Sequence, residues 1–355
     1  MIEVPKSSNT DAALACLLGG AVGDSLGLPF EGLSPRRIAR WWREPLAQRF
    51  VLGRGMLSDD TDHALFVAQS LLLAKGDVER FRTALAWRLR GWLLTLPAGI
   101  GWATLRSILR LWCFFPPARS GVWSAGNGPC MRAPLIGAHY ASDAVRRHAF
   151  VDASTLLTHR DPRALAAARA VADVAAAIAR GEWAQRPSID ALLAQLRESG
   201  DDVDWLASVA QMGDCLRQSD PVAAAALAFG NRAGISGYVL HTVPFALVVW
   251  HAHHGDFAQT VQRVIRAGGD TDTVAAIAGG IAALSAGVDA IPADWVDQIA
   301  DWPHNLARIR ALAAGLAGRP SQAPPTAFAL GLWPRSPLFM LLVLAHGFRR
   351  LLPPY

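Results

Sequence analysis

Alanine and leucine recur at helical spacing over most of this chain, and strand signals are poor throughout. Such a sequence has to bury its apolar stripes helix against helix. The expected fold class is therefore all-α, as one compact orthogonal multi-helix bundle. Helices are expected near 11–23, 60–74, 78–96, 102–112, 162–180, 188–198, 202–217, 221–229, 237–253, 257–267, 272–286, 293–301 and 304–317. Asp161-Pro162 offers an N-cap acceptor followed by Pro at the first helical position, and Ser34-Pro35 repeats that pattern.

The composition narrows the classes of function. With 52% of its 355 residues hydrophobic and 18% charged, the chain has ample apolar surface to offset the entropy of ordering, which excludes a disordered polypeptide. Its net charge is +5, yet no run of five like charges occurs, so no nucleic-acid partner is expected. Cys16, Cys113, Cys130 and Cys215 are scattered with no C-x-x-C pair; buried free thiols are expected rather than disulfides or a zinc site. The N-terminal apolar stretch follows an acidic, polar leader without the basic region of a signal peptide. The charge-free run Ser336–Phe348 is too short for a membrane span, which needs roughly 20 residues. These features predict a cytoplasmic protein without a transmembrane segment. Gly318–Pro325 (GRPSQAPP) reads as a Pro-rich linker between a body, 1–317, and an apolar tail. The tail has three readings: a helix docked on the core, an interfacial amphipathic element, or a site for a protein partner.

Two acidic segments far apart in sequence echo one another, Ser58-Asp59-Asp60-Thr61-Asp62 and Gly269-Asp270-Thr271-Asp272-Thr273. Each opens an apolar helix. N-capping accounts for one acid at such a position, whereas adjacent carboxylates repel and raise each other's pKa. If both helix starts converge, several carboxylates and hydroxyls share a pocket that only hard divalent cations stabilise. Oxygen-only ligands favour Mg²⁺, Mn²⁺ or Ca²⁺ over zinc, and this many carboxylates suit two ions. The HAHH run at His251–His254 reads as a solvated cluster. Gly19–Glu31 reads as a helix ending in a tight loop with two acids, Asp24 and Glu31. Gly126-Asn127-Gly128 and Gly234–Tyr238 are further glycine loops, open to close approach by a phosphate.

GGAVGDSLGLPFE, SDDTDHAL, SAGNGPCMRAPLIG, the Thr158-His159 pair, SGYVLHTVPFAL and RAGGDTDTVAAIAGGIAAL occur in an order that resembles the ADP-ribosylglycohydrolase family. That family includes dinitrogenase-reductase-activating glycohydrolases and the vertebrate ADP-ribosylhydrolases. The resemblance spans residues 11 to about 300. It implies an all-α fold and a centre of two Mg²⁺, or Mn²⁺, with ligands Ser58, Asp59, Asp60, Asp270, Asp272 and Thr273. It implies catalytic roles for Glu31 and Asp60 in activating water. ADP-ribose contacts are implied for Gly126, Asn127, Gly128, Met131, His159, Ser236, Gly237 and Tyr238. One departure is that Gly99 stands where nitrogenase-type members carry an aspartate assigned to catalysis. The implied activity is removal of ADP-ribose from a modified protein or small conjugate, foremost from arginine. Serine-linked or O-acetyl-ADP-ribose hydrolysis is the alternative. So is a non-catalytic immunity protein that blocks an ADP-ribosyltransferase, using the tail as a docking arm.

Overall fold

A computed structural model describes residues 9–319 and 326–350. The expected linker therefore lies largely outside the described residues, as do the leader and residues 351–355. In chain order the helices are α1 Asn9–Gly27, α2 Pro35–Trp41, α3 Asp59–Ala74, α4 Val78–Leu94, α5 Trp102–Trp112, α6 Ala133–His139, α7 Ala144–Leu156, α8 Pro162–Ala179 and α9 Ile189–Arg197. They continue with α10 Val203–Leu216, α11 Pro221–Phe229, α12 Val239–Ala252, α13 Phe257–Arg266, α14 Thr271–Ala286, α15 Ala293–Asp297, α16 Leu306–Leu316 and α17 Leu332–Arg349. The strands among the described residues are a two-residue hairpin, Gly230–Asn231 (β1) against Gly234–Ile235 (β2), with Gly230 opposite Ile235. The fold is all-α, as the periodicity predicts.

The central pair is α1 against α14, and its closeness is written in glycine. Gly19, Gly23 and Gly27 recur every fourth residue and so share one face of α1. A Cβ on Gly23 would lie 2.1 Å from the Ala275 carbonyl oxygen, and one on Gly19 2.4 Å from the Ala283 Cβ. Gly27 meets Thr271 in the same way, so the helices run antiparallel. The C-terminal end of α1 thus meets the N-terminal end of α14, bringing the loop after α1 beside the second acidic segment. Residues Ala12–Phe30 have the length and composition of a membrane span, but 89% of that stretch is buried inside the body.

Several expectations are corrected. Helix α1 runs to Gly27, so Asp24 is buried inside a helix instead of standing in a loop. Helices α6 and α7 fall where no helix is expected. Cys113 is exposed just after α5, whereas Cys16, Cys130 and Cys215 are buried free thiols. His251 is buried and bonds the Pro187 carbonyl (2.9 Å), and His254 bonds that of Trp183 (3.2 Å), so the HAHH run ties the end of α12 to the loop between α8 and α9.

The C-terminal segment packs on the body. Phe328 stacks on Phe66, and Arg88 donates to the Thr326 carbonyl. In α17, buried Arg335 pairs with Asp301, the Ser336 hydroxyl shares a 3.0 Å hydrogen bond with Thr95, and Phe339 joins Leu28, Phe50, Met56 and Ala98 in a small apolar cluster. Farther along, His346 bonds the Pro29 carbonyl (3.1 Å), and Arg350 donates to the carbonyls of Pro29 and Glu31 (2.6 Å each).

Candidate active site

Four loops meet above the α1–α14 pair, stitched by backbone hydrogen bonds in series. Gly32 N–H donates to the Gly269 carbonyl (2.7 Å), and Gly269 N–H returns one to Leu33 (2.9 Å). Ile235 N–H donates to Gly268 (3.0 Å), Asp270 N–H to Ile235 (2.8 Å), and Asn127 N–H to Gly237 (3.0 Å). This zipper needs glycine at 269. Its φ is +86°, and a Cβ there would sit 2.0 Å from the Ile235 carbonyl oxygen.

A cleft of about 320 Å³ opens among these loops. It brings together Glu31, Asp59, Asp270, Asp272 and Thr273 in its wall. Gly126, Asn127, Gly128, Met131, His159 and Gly237 line it too, as expected. Ser58 and Asp60 lie buried and are absent from the wall: the Ser58 hydroxyl donates to Asp60 Oδ2 (3.2 Å), as does that of Thr273 (3.1 Å). Ser236 and Tyr238 are also outside the cleft lining. Ser236 Oγ shares a hydrogen bond with His241, and Tyr238 accepts from Arg163 and borders a neighbouring hollow with Asp204 and His241.

Electrostatics follow from crowding. Burial, then neighbouring carboxylates, hold Asp59, Asp60 and Asp272 well above the ordinary aspartate pKa. Glu31 is accessible at the lip, yet the protein around it and the Asp270 charge raise its pKa. Asp60 Oδ1 is buried without a hydrogen-bond partner among the described residues. No three His, Cys, Asp or Glu side chains among those residues form a ready-made metal cage. Mg²⁺ keeps several waters and takes one or two carboxylates. Buried, mutually repelling carboxylates, two hydroxyls and an unpartnered oxygen fit such cations.

Supporting interactions emerge that the sequence leaves unmarked. Asp24 accepts from the amides of Ser58 (2.9 Å) and Thr61 (3.2 Å) and from the Thr61 hydroxyl, fixing the start of α3 from α1. Burial pushes its pKa up to about 6. Asn127 Nδ2 donates to Asp270 Oδ2 (2.8 Å) and to the Thr242 hydroxyl (3.0 Å), holding one carboxylate in place. Arg132, buried, donates to the Thr158 hydroxyl (2.8 Å), which in turn bonds His159 Nδ1 (2.9 Å). Burial and Arg132 lower the His159 pKa to about 3, so its ring is neutral. Trp102, three-quarters exposed, and Thr104 complete the wall. Gly99 faces Asp59: its φ is +82°, and a Cβ would lie 2.9 Å from Asp59 Oδ1.

The all-helical body and its cleft are those of a sequence that matches the ADP-ribosylglycohydrolase family. The chain belongs to that family, whose model matches residues 5–325. It is 30% identical over 297 residues to an uncharacterized protein of Archaeoglobus fulgidus, covering 81% of this chain and 90% of that one. It is 26% identical over 298 residues to the ADP-ribosyl-[dinitrogen reductase] glycohydrolase of Rhodospirillum rubrum, with the same coverage of each. A solved ADP-ribosylglycohydrolase-related protein complex superposes with a TM-score of 0.65 at 26% identity, covering 88% of this chain and 98% of that one.

Proposed function

We propose that the chain is a metal-dependent hydrolase that releases ADP-ribose from arginine side chains of modified proteins. The observation that carries this reading is one cleft whose wall combines the carboxylates of Glu31, Asp59, Asp270 and Asp272 with bare glycine loops, Gly99 and Gly237 lying directly against Asp59 and Asp270. Ser58, Asp59, Asp60, Asp270, Asp272 and Thr273 would hold two Mg²⁺, or Mn²⁺. The bound cations supply charge neutralisation and polarisation of the ribose hydroxyls.

The protein's own groups do the rest. Glu31, with its raised pKa, takes a proton from the attacking water or returns one to the leaving nitrogen. Asp60 anchors Ser58 and Thr273 beneath the floor, which makes it a ligand and positioning group in this scheme rather than the base. Asn127 keeps Asp270 turned toward the cleft. Gly126, Asn127 and Gly128 present backbone close to the diphosphate. Neutral His159 offers a hydrogen bond without adding charge.

The experiment is release of free ADP-ribose from an ADP-ribosyl-arginine protein, with Mg²⁺, with EDTA, and for Asp270→Asn. Release that needs the metal and is lost in the variant is the expected result. Serine-linked and O-acetyl-ADP-ribose run in parallel. Turnover of either in preference to the arginine substrate reassigns the linkage, and inertness toward all three overturns the catalytic reading.

A further inference from the structure

A second cavity, of about 600 Å³, lies behind the loop that carries Glu31. The two cavities share that loop as a wall, with Glu31 facing the cleft and Pro29 facing the second space. Arg40 and Arg43 enter it from α2 and the turn beyond, Arg49 from the following loop, and His346 and Arg349 from α17, with Trp41 beside them. No carboxylate of the described residues lines it. The nearest candidate, Glu44, is turned to the Trp42 indole (2.6 Å) and to Arg266. Arg40, Arg43 and Arg49 form no ion pair within 4 Å among the described residues, and burial and then Arg43 lower the Arg49 pKa, with Glu44 pulling the other way.

We propose that this cavity is a second binding site, for an anion carrying two or more phosphoryl groups. The guanidinium groups of Arg40, Arg43 and Arg49 around one concavity repel each other unless an anion joins them, and the planar guanidinium fork matches phosphate oxygens two at a time. The volume falls in the range of small-molecule sites. Trp41 supplies an aromatic face for a base or another flat group. His346 lines the cavity while bonding the Pro29 carbonyl, so an anion held there ties α17 to the Glu31 loop. This inference does not depend on the hydrolase reading, since it concerns different side chains and is tested by binding.

The test is calorimetric titration of the full chain with inorganic tripolyphosphate at constant ionic strength. Saturable binding is expected, weakened about tenfold in Arg40→Gln/Arg43→Gln and retained in Asn127→Ala. Arg43→Lys, which keeps the charge but loses the fork, is expected to fall between, and serves if the double variant misfolds. Two results overturn the proposal: loss in Asn127→Ala with retention in the arginine variants, or affinity no greater than that for sulfate. A parallel sedimentation with phosphatidylglycerol-containing vesicles, against phosphatidylcholine alone, separates the sources of phosphate. Vesicle binding lost in the arginine variants and competed by tripolyphosphate points to a lipid headgroup, next to exposed Leu341 and Phe348. Tripolyphosphate binding without vesicle binding points to a free phosphoanion. Binding in neither arm overturns the site.

Discussion

The Asp24 carboxylate gathers two amides and a hydroxyl from the first turn of α3, so the position of Asp59 and Asp60 is set from a helix that does not carry them. Asp24→Asn turns one acceptor into a donor facing donors. A loss of about 1–3 kcal/mol is expected, read in chemical denaturation, with a fall in turnover beyond what the lower stability explains. At the other wall, Gly99 combines a positive φ with close approach to Asp59. Gly99→Asp, which places an acid where the family resemblance leads one to expect it, should cost about 1 kcal/mol of backbone strain and crowd Asp59 without raising turnover. A variant more active than the parent in the ADP-ribose release assay would reverse that view of Gly99.

At the scale of elements, the α1–α14 contact carries the geometry of the site, because a shift of one helix along the other moves Glu31 relative to Asp270 and Asp272. Gly23→Ala drives a methyl into the Ala275 carbonyl, and about 1–3 kcal/mol of destabilisation is expected from forced separation of the pair. A melting temperature equal to the parent's would show that the helices part at little cost. Both helices were legible from their apolar periodicity, as were the two acidic starts and the glycine loops. What escaped the sequence has physical causes. Helix α6 is short and buried on all sides, so it has no polar face to reveal a period. Helix α7 hides its pattern because Arg147, though buried, is charged and pairs with Asp173 on α8 (2.7 Å). Helix α17 meets the docked-helix reading of the tail, with Pro334 and Pro337 blurring only its bounds. Asp24 read as a loop acid because nothing local shows that its partners arrive from α3. Ser236 and Tyr238 were placed in the site by neighbourhood in the motif, whereas the backbone alone reaches the cleft, through Gly237.

For the molecule as a whole, burying uncharged histidines makes stability depend on pH. His63 packs edge-on to Trp92 with neither ring nitrogen bonded among the described residues, and burial, then Arg132, lower its pKa to about 3. His159 behaves likewise. Below about pH 6.5 the unfolded chain takes up these protons and the folded one does not, down to about 3. The contribution of these two histidines to stability therefore falls with acidification across that window, by up to about 1.4 kcal/mol per pH unit for each group, against the opposite contribution of the carboxylates whose pKa is raised. His63→Phe should flatten the dependence measured by denaturant unfolding at pH 7 and pH 5; an unchanged slope would mean that His63 does not contribute. A last consequence concerns α17, which lies beyond the span matched by the family model yet holds the carbonyls of Pro29 and Glu31. A chain trimmed at residue 325 would keep every acidic side chain of the cleft and lose the buttress under its proton donor. Poor turnover by such a fragment would then measure a loop set adrift, and say nothing against the chemistry.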